Sequence, residues 1–375
     1  MLTTSETNTW KRAIRDAIAM IDWEAAPLLK LLGVNGEGKF NLVNWPSTKV
    51  EWIEDAMAPL TSLLTEEVDT SETGIDVTTG TGVYFRQGDI VLINSVEKVL
   101  VTSVATDTLT VVRGYGDTSG TSASTGQVVE IIGRAMPEGA TATTGYITDP
   151  TLPYNYTQII SQAVSSSRSN QELMRYGIKD PLMDQMAKLI NSNGGAGLLA
   201  QMLEKTFYYG ERVARGADPA YGTMGGFKTF VTTNVTNKAT AALDKADIHK
   251  LIRDIRGYGG RVTHIVGGEW GMEKISQLYE GNVVREESQT TGGIAIDKIR
   301  TPHGLVSLVY DWMCPDSELY FINAERCGWV TFSPFQPYDI ARTGDAIKKD
   351  IVGEYSFVLL NQKSHGYIYG MSTTA

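Results

Sequence analysis

The sequence predicts an α+β chain in which a β-rich segment interrupts a mixed body of helices and strands. Three observations predict it. Between residues 69 and 149, Thr, Ser, Gly and Val dominate and strand-length apolar runs alternate with turns. From residue 221 to 335 helical and strand patterns alternate. Beyond residue 336 two more strand patterns follow, with charged and polar turns before and between them.

Each element has its own signal. Trp10, Ile14, Ala17, Ile18 and Ile21 fall at helical spacing behind Thr7 or Asn8 as N-cap, which predicts an amphipathic helix over 8–21. Pro27-Leu28-Leu29 and the glycines from Gly33 to Gly38 break that pattern, and order resumes over 50–55. Runs 88–93, 98–104 and 109–114 are strands of a small β-barrel or hairpin array that stands away from the main body. A strand follows over 154–160. Asp180 as N-cap and Pro181 at the first helical position then open a helix. Leu182, Met186, Leu189 and Ile190 form its apolar stripe. Leu198, Leu199, Met202, Leu203 and Phe207 form another, so one long helix is kinked or interrupted near Gly194. Helices over 246–256 and 270–279 and strands over 261–266, 304–310 and 318–322 follow. Residues 334–337 read as a turn. In the closing hairpin, Tyr355, Phe357 and Leu359 alternate with Ser356, Val358 and Leu360, so both strand faces are covered.

Length and composition bound the function. A chain of 375 residues holds one large composite domain or two to three modules. No apolar stretch approaches the roughly 18–20 residues of a membrane span. The first residues lack the basic and apolar blocks of a secretion signal, so a cytoplasmic start is expected. Cys314 and Cys327 have no neighbouring ligands to complete a metal site and read as free structural thiols. The net charge of −10, from 43 acidic and 33 basic residues, argues against sequence-independent gripping of nucleic acid. Glu51, Glu54, Asp55, Glu66, Glu67, Asp69, Glu72 and Asp76 follow one another between Lys49 and Arg86 with no basic residue among them. They form either a solvated face or a surface complementary to a basic strip on a neighbouring subunit.

No pattern points to catalysis or a cofactor. The run from Gly33 to Phe40 nearly matches the phosphate loop, but Phe40 stands where Ser or Thr must meet Mg²⁺, so it reads as a glycine-rich hinge. His249, His264, His303 and His365 are widely spaced and read as structural. Glu66-Glu67 and Glu286-Glu287 read as surface charge rather than an acid–base pair. Asn155-Tyr156-Thr157 and Asn234-Val235-Thr236 match the glycosylation pattern without a secretory context. Tyr84, Phe85 and Tyr115 are too few to argue strongly for a carbohydrate platform.

Several collinear segments carry a family resemblance. They are Pro27-Leu28-Leu29 with Glu51-Trp52 and Asp55; the strands from Gly88 to Gly114 through Ile132-Gly133-Arg134-Ala135 and Glu138-Gly139; Tyr156-Thr157-Gln158-Ile159 with Tyr176-Gly177; and Gly225-Gly226-Phe227 with Asn234. The C-terminal Thr343-Gly344-Asp345, Val352-Gly353-Glu354-Tyr355 and the spacing of Asn361, Lys363, His365 and Ile368 complete the series. Together they resemble the major capsid proteins of tailed bacteriophages with the Hong Kong 97 type fold. The resemblance departs from the pattern at 190–197, within the helix it implies as the spine.

The resemblance implies an N-terminal arm (1–68), an extended loop with an inserted β-rich subdomain (69–149), a peripheral domain with the spine helix (150–220), an axial domain (221–335) and C-terminal strands returning to the peripheral domain (336–375). It further implies a structural protein, not an enzyme, with no catalytic residue, cofactor or metal. Copies would self-assemble as pentamers and hexamers into an icosahedral shell around double-stranded DNA, which a shell encloses without gripping. Scaffolding, portal and decoration proteins are the implied partners, with assembly in the host cytoplasm, residence in the virion capsid and no membrane contact. Glu66, Glu67, Asp69, Asp345, Lys348 and Lys349 are the candidate inter-subunit contacts. The alternatives are a surface or tail-associated binding module using residues 69–149, and an enzyme with a site assembled from scattered residues.

Overall fold

The computed structural model describes residues 26–33, 42–43, 45–140, 149–173, 180–192, 195–216, 220–279, 283–285, 297–342 and 344–373. The expected helix over 8–21, the glycine-rich run beyond Gly33, Tyr176-Gly177 and Glu286-Glu287 lie outside the described residues. Two units have separate cores: Ile53–Leu152, and the remainder on either side of it.

In the Ile53–Leu152 unit six antiparallel strands run in the order Thr61–Leu63, Val128–Arg134, Asp89–Ile93, Glu97–Ala105, Thr108–Val112, Gly74–Asp76. A bridge between Leu64 and Val77 joins the two outermost segments, so the sheet closes as a small barrel. The period-two pattern decides what fills it. Val91 and Ile93, Val99 and Val101, and Leu109 and Val111 alternate inward with Phe85 and Val129. The unit begins at Ile53 rather than at residue 69. Its first strand spans three residues, too few to show a period by which sequence would separate it from the preceding arm.

The flanking unit holds two larger sheets. One has the order Leu42–Val43, Cys327–Ile340, Ala346–Leu359, Gln158–Ser167. Its two fourteen-residue strands form a long hairpin. The expected turn at 334–337 is a stretch of continuous strand, where register shifts between Thr331 and Gln336 leave Pro334 outside the paired ladder. The other sheet has seven strands: Val235–Asn237, Gly366–Tyr369, Leu319–Ile322, His264–Gly267, Gly304–Tyr310, Asp297–Thr301, Val283–Arg285. The last strand therefore does not close a hairpin with Ala346–Leu359. Asn361, in the left-handed region at φ 51°, and the tight turn Gln362–Ser364 redirect it into the seven-stranded sheet. So residues 336–375 divide between two sheets instead of returning wholly to one.

Helices bridge these sheets. Asp180 caps the helix Pro181–Ile190, its Oδ1 accepting the N–H groups of Leu182 (2.9 Å) and Met183 (3.2 Å). The expected interruption near Gly194 is a short antiparallel pair, Asn191–Ser192 with Gly195–Ala196, and a separate helix follows at Leu198–Tyr209. Gly197 makes the junction possible, since a Cβ there would lie 2.4 Å from the Leu189 carbonyl oxygen. Farther on, Asp244 and Asp247 form a capping box at the helix Lys245–Gly257, whose Ile248, Leu251, Ile252 and Ile255 are buried.

The core centres on Phe207 of Leu198–Tyr209. Its ring lies 5.3 Å from Phe227, 5.9 Å from Tyr320 and 5.2 Å from Phe357, centroid to centroid. Gly226 admits Phe227 to this cluster, because a Cβ there would sit 2.5 Å from the Thr206 carbonyl oxygen. Phe207→Ala is expected to cost about 3–5 kcal/mol in chemical denaturation. Met202→Ala, on the exposed side of the same helix, should change stability by only about 0.5 kcal/mol.

Candidate assembly surfaces

The barrel carries fourteen carboxylates against four basic side chains, a net charge of −10 that equals the charge of the whole chain; the remaining residues balance at 29 of each sign. Two of its four cations are engaged by buried carboxylates, Arg113 from within and Arg134 from the surface. Arg113 meets Glu97 in a fork, Nη2 to Oε2 at 2.6 Å and Nε to Oε1 at 2.8 Å, and its Nη1 donates to the carbonyls of Asp69 (2.6 Å) and Glu72 (2.9 Å). Arg134 meets the buried Asp89 at 2.5 Å. Burial alone would raise the Glu97 carboxyl, but Arg113 and the N–H groups of Thr121 and Gly114 outweigh it and hold it down at about 2. The pair therefore adds stability above the ordinary carboxylate range that is lost as pH falls toward 2.

Glu66, Glu67 and Asp69 lie on the segment after the first barrel strand, all exposed. Val68 is why: it is buried, and its backbone exchanges hydrogen bonds with Ala123 at 2.8 and 2.9 Å, so its neighbours point outward. Among the described residues neither Glu66 nor Glu67 has a cationic partner. Phe85 is core and Tyr115 lies at the surface, so the aromatics of this unit form no shared platform.

Asp345, Lys348 and Lys349 come together at the far end of the long hairpin. Asp345 meets Arg168 at 3.2 Å, Lys349 meets Asp339 at 3.2 Å, and Lys348 stands exposed between Ile340 and Ser165. Such exposed pairs contribute about 0–1 kcal/mol each, so folding does not explain their presence. Asn155 and Asn234 are buried, their amides donating to Gly225 and Phe357 and to Lys363 and His365, which takes both glycosylation-like patterns out of reach.

The sequence reading missed a buried acidic pair. Glu204 falls within the inward arc of the helix Leu198–Tyr209, and its Oε1 accepts the Leu28 N–H at 2.5 Å, capping the helix Pro27–Leu32 from another element. Asp311 accepts from the Tyr208 hydroxyl and from Met313 N–H at 2.8 Å. Burial, then the charge of Asp311, pushes Glu204 well above the carboxylate range; Asp311 rises by burial too, against the pull of its two donors. Cys314 and Cys327 are buried free thiols, and burial drives the His365 imidazole down to about 3, so it stays neutral.

A model of the SU10 major capsid protein family matches residues 1–372. The chain belongs to that family. No curated protein sequence matches. In fold, this major capsid protein is similar to the cyanophage A-1(L) capsid protein (12% identity, 99% of this chain and 100% of that one, TM-score 0.55). It is also similar to a structure from Mycobacterium phage Adephagia (8%, 100% and 99%, 0.50) and to the capsid of a native GTA particle (9%, 97% and 96%, 0.50). The fold is Hong Kong 97-like, and the protein is a component of a phage shell built from many subunits. For a major capsid protein, exposed pairs too weak to matter in one copy gain weight by repetition.

Glu204→Gln should preserve stability to about 1 kcal/mol, because an amide oxygen accepts the Leu28 N–H as the protonated acid does, whereas Glu204→Ala should lose about 2–5 kcal/mol. Because the unfolded chain releases the Glu204 proton at a lower pH than the folded one, wild-type stability contains a term that falls as pH rises above the ordinary carboxylate range. Denaturation series at several pH values should show that term vanish in Glu204→Gln.

Proposed function

We propose that copies of this chain form pentamers and hexamers that tile an icosahedral shell around packaged double-stranded DNA. The family match over residues 1–372 carries the reading. The shell encloses its DNA without sequence-specific binding, in keeping with an acidic chain. Assembly takes place in the host cytoplasm with scaffolding and portal proteins, and decoration proteins are further partners. The barrel is the insertion of the extended loop, the helices around Phe207 with the four-stranded sheet form the peripheral domain, and the seven-stranded sheet forms the axial domain.

Inter-subunit contacts use the charged groups that folding does not require. Glu66, Glu67 and Asp69 serve on the barrel; Asp345, Lys348 and Lys349 serve on the hairpin. Electron microscopy of the overexpressed chain, with its scaffold where needed, should show uniform shells or capsomer rings. A chain that stays monomeric at every concentration, scaffold included, would remove the proposal. Lys348→Glu with Lys349→Glu should lower particle yield several-fold while the monomer's circular dichroism stays unchanged.

A further inference from the structure

The unit of balanced charge hides a concentrated cationic end. Arg256 closes the helix Lys245–Gly257, and its Nη2 donates to the His303 carbonyl at 2.6 Å in the turn before Gly304–Tyr310. Arg300 lies on the strand leading into that turn, paired with Leu305. Lys363 stands 5.1 Å over the ring of Tyr258, and a Cβ on Gly260, next to Arg261, would lie 2.8 Å from Ser364 Cα. Three segments thus converge at one end and present Arg256, Arg261, Arg300 and Lys363, all exposed. Among the described residues none of the four meets a carboxylate, and the nearby Asp254 is taken by Arg253. Tyr258 and Leu305, each at least half exposed, supply apolar surface beside them.

Unpaired cations on an acidic chain are half of an interface. The other half is also present. The barrel's outward charge is predominantly negative, and its outer face carries apolar side chains: Ile90, Leu100 and Val112 lie in direct register across three strands, with Ile132 beside them. Two barrels meeting would set −10 against −10, and a contact to the remainder of a copy taken as a whole would gain no net attraction. The cationic end is a described surface whose sign matches. We propose that the acidic barrel of one copy docks on the cationic end of a second copy, with Glu66, Glu67 and Asp69 facing Arg256, Arg261 and Lys363. This rests on the shell reading above and names the partner surface within it.

A charge exchange tests the pairing. One variant carries Glu66→Lys, Glu67→Lys and Asp69→Lys; a second carries Arg256→Glu, Arg261→Glu and Lys363→Glu; a third combines all six. Particle yield is read by sedimentation and electron microscopy, and folding by circular dichroism. Each three-residue variant should assemble on the order of tenfold less well than wild type, the combined variant should recover most of that loss, and wild-type yield should fall with added salt. Should a reversed variant misfold, Glu66→Gln with Glu67→Gln and Asp69→Asn, and Arg256→Gln with Arg261→Gln, remove the charges without reversing them and should each show a smaller drop. Variants that fold and assemble like wild type, or a combined variant no better than its parts, overturn the pairing while the shell reading stands. A wild-type chain that never assembles overturns both.

Discussion

The body of this protein depends on the packing of one aromatic ring. Phe207 touches Tyr320, a residue of the seven-stranded sheet, and Phe357, a residue of the four-stranded sheet, while Phe227 closes a third side. Two sheets that share no hydrogen bonds among the described residues are thereby held at a fixed relation by one helix. Close-packed interiors are bistable rather than soft, so that relation has little freedom to drift. The positions of the long hairpin and of the cationic end follow from it, since each grows from one of those sheets. The same helix turns Glu204 toward the N–H groups of Pro27–Leu32. Aromatic packing and the buried acid therefore fix one helix on two faces, and the described N-terminal segment is anchored where the core is densest.

Much of this was legible in the sequence, and the misses have physical causes. The helix cap at Asp180, the apolar stripes and the barrel strands declared themselves through local period and turn chemistry. Partner choice did not. Whether Gly366–Tyr369 pairs with the strand before it or joins another sheet is settled by one left-handed residue, Asn361, and by edges remote in sequence. The three-residue strand Thr61–Leu63 has no period to read. Buried acids escape because a carboxylate is by default assigned to the surface. Yet Glu97 shares its strand face with Val99 and Val101, and Glu204 lies within the arc that holds Leu203 and Phe207. In both places the period pointed inward and residue type overruled it. Of the candidate contacts, Glu66, Glu67, Asp69, Asp345 and Lys348 are exposed and Lys349 is half-buried, but a surface's partner is not encoded in the surface alone.

The solved structures that share this fold do so at 8–12% identity, so almost no individual side chain is required by it. What persists is volume and pattern: cores tolerate wholesale apolar substitution while hydrophobic placement is kept. Specific chemistry is then concentrated at junctions where backbone meets backbone, such as Gly197 and Gly226, and at buried polar groups such as Asn155, which ties two carbonyls and an N–H of separate segments with one amide. Those positions carry geometry that no apolar residue can supply.

Charge placement adds a constraint that fold alone does not impose. Had ten excess carboxylates been spread over the whole surface, every contact between copies would begin with like-charge repulsion, which close packing in a shell repeats many times over. Confining them to a unit with its own core, two of whose arginines are held by buried carboxylates, leaves the larger unit electrically balanced, free to approach its copies on shape and apolar contact. The barrel bears the repulsion internally, where Glu97 and Arg113 pin its loops, and turns the remainder into direction: such a unit is repelled by its own kind and drawn to cations. In an assembly of identical chains, segregating charge in this way distinguishes the contacts that must form from those that must not.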